Sequence, residues 1–185
     1  HFHYHLGIVH EKLDQADELI SHMEKTIDLD PSHSDALNFL GYYYVEQGIR
    51  LDEAMGLIQR AVSLQPDNGY YVDSLAWAHY KMGQTREALV QLKRAIILVP
   101  DDPVIVQHLG EVYLTLGKWD EARKAWERSL ELDPENQTLR DAFQKHGFGN
   151  PMVKDGIWCS SIVDVFIKEE DTVVEMTKSN NKGFT

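Results

Sequence analysis

Residues 103–136 read PVIVQHLGEVYLTLGKWDEARKAWERSLELDPEN, and the fold turns on this stretch. Leu109, Gly110 and Tyr113 recur at three- and four-residue spacing, and Ala122 and Trp126 repeat that spacing further on. Such spacing gathers apolar side chains on one side of a rod with ~3.6 residues per turn, so the stretch predicts two amphipathic helices. Gly117 stands between them, where glycine enters the left-handed conformation of a helix end without a Cβ penalty. Pro134 follows the second helix and pushes Asp133 out of helical dihedrals.

The same grammar extends toward the start of the chain. Prolines recur at Pro31, Pro66, Pro100 and Pro134, separated by 35, 34 and 34 residues, and a fixed period of that size marks a repeat array. Gly7, Gly41, Ala76 and Gly110 form one column, Gly48, Gly83 and Gly117 a second, and Ala54, Ala88 and Ala122 a third. The first and third columns are small because two helices must approach closely there. Leu37, Leu40, Gly41 and Tyr44, followed by Leu57, Ile58, Ala61 and Val62, repeat the helical spacing in the second unit.

The motif Leu40-Gly41-x-x-Tyr44, its copy Leu109-Gly110-x-x-Tyr113, and Ala122, Trp126 and Pro134 after it resemble the tetratricopeptide-repeat (TPR) family. Over residues 1–136 the resemblance implies an all-α, right-handed superhelix of helix-turn-helix repeats, near 1–33, 34–68, 69–102 and 103–136. A capping helix near 137–146 is expected to cover the end of the array, as terminal repeats require. The array would thus be 1–146. Four departures stand out: Asp14 replaces the turn glycine and Leu19 the small residue of the first unit, His79 replaces Tyr in the third, and the second carries one extra residue near Ile49-Arg50-Leu51. Residues 42–83 also resemble long bacterial multi-TPR proteins, some of them outer-membrane lipoproteins. The chain opens in mid-helix at His1, like a fragment of such a protein, so an export signal would not be visible. Bacterial cytoplasm and a periplasmic, outer-membrane-associated setting are both compatible.

After His146 the pattern changes. Residues 147–185 form a non-repeat tail, in which the runs Ile157–Lys168 and Thr172–Met176 could pair as a β-hairpin or remain loosely ordered.

Composition narrows the function. Eighteen Lys and Arg against thirty Asp and Glu give a net charge of −12, which repels nucleic acid and anionic lipid and favours neutral to basic partners. No apolar run approaches the ~18 residues of a membrane span, and the single Cys159 has no internal disulfide partner.

No cofactor, metal or catalytic residue is expected. His1 and His5 share a helix side but lack a third convergent ligand, and His10 falls in the tyrosine column, where it should pack. Asp28, Asp30, Ser32 and Ser34 alternate like a calcium loop, but His33 and Phe39 stand where its Gly and Glu belong. No phosphate loop or nucleophile elbow occurs, so the chain does not read as an enzyme.

The resemblance implies instead a scaffold that binds a peptide or protein in the concave groove lined by the first helices. The columns turned from the second helices give Tyr4, Ile8 and Glu11; Asp35, Asn38, Tyr42 and Val45; Tyr70, Asp73, Trp77 and Tyr80; and Gln107, Glu111 and Leu114. Tyr42, Trp77 and Tyr80 are the expected anchors, since aromatics dominate binding hot spots; each could equally fill the seam between neighbouring repeats. Tyr70 extends the aromatic set, and Asn38, Asp73, Gln107 and Glu111 would bond a guest's backbone or its Lys and Arg. The expected guest is neutral to basic and partly apolar. TPR co-chaperones hold the carboxylate of heat-shock chaperones with Lys, Arg and Asn; only Asn38 resembles that set, and Asp73 opposes it. Two other roles remain: homo-oligomerisation through the exposed end of the array, where Phe2, Leu6 and Val9 want a partner helix, and a recruiting arm of an enzyme encoded upstream.

Overall fold

The computed structural model describes residues 2–149, and all secondary structure among them is helical: α1 Phe2–Lys12, α2 Ala16–Leu29, α3 Ser34–Gln47, α4 Leu51–Leu64, α5 Gly69–Lys81, α6 Thr85–Leu98, α7 Pro103–Thr115, α8 Trp119–Leu132 and α9 Gln137–Lys145. The expected hairpin, its flanking runs and Cys159 lie outside the described residues.

The chain divides into two compact units, residues 1–91 and 92–185. In the first, α1 packs on α2 and α3 on α4, and α3 also touches α2 and α5. One core runs through these helices, built from Leu19, Met23, Leu37, Leu40, Tyr44, Leu57, Ile58, Tyr71 and Leu75. In the second unit α7 packs on α8, and α8 on α9. Its end is closed by Trp126 and Leu130 of α8 against Leu139 and Phe143 of α9, with Phe148 folded over them.

The small columns are contact points. A Cβ on Gly41 would stand 2.6 Å from Cγ1 of Ile58 and 3.0 Å from the carbonyl oxygen of Ala54. On Gly110 it would enter the indole of Trp126. Neither helix pair closes with a larger residue there.

Turns follow the sequence with two exceptions. Gly48 ends α3 at φ 66° and its N–H returns to the carbonyls of Tyr44 and Val45. The first hairpin has no glycine, and Asp14 takes the left-handed conformation instead, at φ 56°. The extra residue of the second is absorbed by Arg50, also left-handed at φ 49°. Its guanidinium is held twice by Glu53, at 2.6 and 2.7 Å, and reaches Glu24 of α2 at 3.2 Å. It also lies over the ring of Tyr44, 4.6 Å from the centroid, and donates to that hydroxyl. Side-chain contacts thus hold a backbone that an arginine otherwise avoids.

First helices start on side-chain caps. Asn68 accepts from the N–H groups of Tyr70 and Tyr71, Asp102 from those of Val104 and Ile105, and Asn136 from that of Leu139. His33 caps α3 through Nδ1, 3.3 Å from the N–H of Ala36.

Candidate functional site

In the first unit the expected residues divide between two neighbouring helices. Asp35, Asn38, Tyr42 and Glu46 recur every three or four residues along α3, and Tyr70, Asp73, Trp77 and Tyr80 do so along α5, with Lys81 four residues after Trp77. Each stripe is one helix face, offset from the side on which Gly41 meets α4.

The middle of the stripe is packed. Trp77 is only 6% exposed, and its Nε1–H donates to Oε1 of Glu46 on α3. Tyr80 stacks on its indole at 4.9 Å and 21°, and Nζ of Lys81 lies 5.0 Å from a ring centroid. Asp73 is also buried. Tyr42 and Tyr80 are half-buried against the core, and Tyr70 stands 56% exposed. Val45, expected among the outward residues, is fully buried. Its side chain joins the core that holds Leu37, Leu40 and Tyr44.

Polar groups frame this aromatic floor. Oδ1 of Asn38 is shielded from solvent and accepts no hydrogen bond from the described residues. Asp35 accepts from the hydroxyl of Tyr71, which also lies 3.4 Å from Oγ of Ser34. Burial first, and then the bond to Asp35, push Tyr71 up to about 12. Burial and Asp35 also raise Tyr4, which packs on His33 at 4.9 Å. Asp35, Glu46 and Asp73 against Lys81 leave the two stripes acidic.

Gln107 and Glu111 belong to the second unit, so they form a separate group. Gln107 donates from Nε2 to Glu111 at 3.2 Å and accepts at Oε1 from Nδ2 of Asn136 at 3.1 Å. Its backbone carbonyl accepts from Nε1 of Trp126 at 3.2 Å. Both ends of that amide are therefore engaged within the unit.

Sequence reading missed Glu46 and Lys81. Both fall on the same stripes at helical spacing, and that spacing was the signal that could have found them. It also missed Asn136, the partner of Gln107, whose contact joins residues 29 apart and leaves no periodic trace.

Two family models match the sequence that builds these paired helices. The tetratricopeptide-repeat model matches residues 4–69, and the model of anaphase-promoting complex, cyclosome, subunit 3 matches residues 48–129. Residues 4–69 match the tetratricopeptide repeat in sequence, and the chain has the tetratricopeptide-repeat fold. A TPR repeat-containing protein of Pseudomonas aeruginosa is 31% identical over 85 residues, 46% of this chain; the chain spans only 14% of that relative's length. Among solved structures, MamA superposes with a TM-score of 0.60 at 22% identity, covering 96% of this chain and 97% of that one. A thermophilic TPR protein of Thermus thermophilus gives 0.68 at 21%, covering 79% and 80%. Both establish the all-α TPR fold. The first TPR domain of Spaghetti (RPAP3), bound to the HSP90 peptide SRMEEVD, gives 0.57 at 25% identity, covering 62% of this chain and 90% of that one. The TPR fold is that of a protein-interaction scaffold.

Proposed function

We propose that the first unit binds an extended protein segment along the α3 and α5 stripes, and that the guest is neutral to basic and partly apolar. The observation that carries the reading is Asn38, half-exposed on the α3 stripe with an amide that can turn outward to meet a guest backbone N–H. Tyr70, Tyr42 and Tyr80 flank it with exposed and half-exposed ring area suited to apolar side chains. Trp77 and Asp73 form the floor and support the shape rather than supply the contact. Asp35 and Glu46 keep unused lone pairs for Lys or Arg. The same acids repel a guest such as SRMEEVD, so the partner differs in charge from that of the Spaghetti domain.

The test is selection from a random peptide library on the immobilised chain. Enriched peptides should carry Lys or Arg beside apolar residues. Asn38→Ala and Tyr70→Ala should each weaken them about tenfold, equivalent to ~1.4 kcal/mol, with unchanged circular dichroism. Enrichment of acidic peptides, or affinity indifferent to both changes, would sink the assignment.

A second reading rests on α1 and the turn that follows it, where Phe2, Val9 and Leu13 are exposed. Such a row favours association with another copy. Light scattering that reports a monomer at every concentration would dismiss it.

A further inference from the structure

The hairpin of α1 and α2 gathers imidazoles away from the α3 and α5 stripes. His3 and His10 are seven residues apart, about two turns, and so share a side of α1. His22 of α2 touches both: its ring stacks on His10 at 5.2 Å and 27°, and tilts against His3 at 5.1 Å. Gly7, between the two α1 histidines, permits this approach, since a Cβ there would stand 2.7 Å from Cε of Met23. As a result Nδ1 of His3 lies 3.0 Å from Nδ1 of His22.

Two imidazoles sharing one proton adopt that separation, and so do two cis ligands of one metal ion. With metal–nitrogen bonds of about 2.0–2.1 Å, ligands at a right angle stand about 2.9 Å apart. The pair is half-buried and borders a depression of about 430 Å3 lined by His3, Ser21, His22, Glu24, Lys25 and Asp28. Two carboxylates against one ammonium make that lining net negative, which favours a cation. His10 buttresses the pair: its Nδ1 lies 2.6 Å from Oε1 of Gln15, an oxygen that only accepts, so the ring is pinned as a donor there.

We propose that His3 and His22 form a two-imidazole chelate for a divalent transition-metal ion, with copper(II) the best fit. Among the described residues no set of three His, Cys, Asp or Glu converges, so water completes the coordination. Imidazole suits copper, nickel and zinc, and a near-right angle between donors matches the square-planar preference of copper(II), which also stands highest in affinity along the divalent series. The ligands are 19 residues apart and are brought within reach by the folded hairpin. A bound ion therefore clamps α1 to α2 and stabilises the folded state in proportion to its occupancy.

The experiment is a Cu2+ titration of the full chain with its amino terminus acetylated, so that the α-amine cannot join His3. Calorimetry, electron paramagnetic resonance and thermal unfolding serve as readouts. The expected result is a single equivalent bound with imidazole-nitrogen hyperfine structure, and an unfolding midpoint that rises with Cu2+ concentration. His22→Phe, which keeps a ring against His10, and His3→Phe should each weaken binding on the order of 100-fold, because each removes an intramolecular second ligand. Unchanged affinity in His22→Phe would assign the ion to exposed histidines such as His5 and overturn the proposal. Failure of the unaltered chain to bind, with stability responding to pH alone, would leave a shared proton between the rings and overturn it equally.

Discussion

The two units use equivalent stripes in opposite ways. On α3, Asn38 keeps an unsatisfied acceptor beside half-exposed tyrosines. On α7, Gln107 is tied at one end to Glu111 and at the other to Asn136. Both begin as polar residues on the first helix of a pair. The difference is a neighbour: Asn136, the cap of α9, reaches back to Gln107, whereas no described residue does this for Asn38. A repeat scaffold can thus commit a polar residue to its own cohesion in one repeat and leave its counterpart's acceptor unbonded in another.

The contrast can be tested, beginning with the largest expected effect. Gly110→Leu drives a side chain into Trp126 and should cost about 3 kcal/mol by overpacking, read by chemical denaturation. Amide hydrogen exchange should show its largest gain in α7 to α9; an equal gain throughout α1 to α5 would erase the energetic distinction between the units.

Alkali should strike the first unit next. Burial and nearby Glu24 and Glu53 push Tyr44 up to about 12 against the opposing pull of Arg50, and Tyr71 reaches about the same value. Because the folded state holds these protons more tightly than the unfolded chain, their stabilisation is complete below about pH 10 and is lost as pH rises toward about 12. Denaturation curves across that window, with tyrosinate absorbance, should record the fall, and Tyr44→Phe should reduce it. A flat profile would contradict it.

A paired substitution sharpens the comparison directly. Gln107→Ala strands Glu111 and Asn136 and should lower stability by about 1 kcal/mol. Asn38→Ala should leave stability within about 0.5 kcal/mol and affect only guest binding. Equal losses would show that the stripes do not differ. The smallest effect belongs to Arg50→Ala: its ion pairs with Glu24 and Glu53 are roughly half exposed and screened by solvent, so the denaturation midpoint should barely move, with the turn conformation monitored by the exchange of the Ile49 and Arg50 amides.

Much of the fold was legible because its determinants are local. Gly48 at φ 66° and the Ile58 contact of Gly41 follow from residue size and backbone freedom, which spacing reveals. Asp14 and Arg50 registered as departures, yet their left-handed conformations depend on side chains gripping a turn, and only the folded arrangement shows that. The candidate face was half legible. Helical period groups Asn38, Tyr42, Trp77 and Tyr80, but the depth of each depends on distant residues. Trp77 is engaged by Glu46, 31 positions away, and Val45 disappears into the core with Leu40 and Tyr44.

The one-residue insertion at Arg50 has a practical corollary. Gly48 has already terminated α3 before Arg50 is reached, and Ile49 and Arg50 face solvent, so this hairpin accommodates added length where the others are closed by Gly83 and Gly117. Exposed, length-tolerant bends of this kind accept spliced sequence. A fluorophore or epitope grafted between Ile49 and Leu51 would sit at the far end of α3 from Asp35, a reporter carried by the same rod that bears the candidate contact residues.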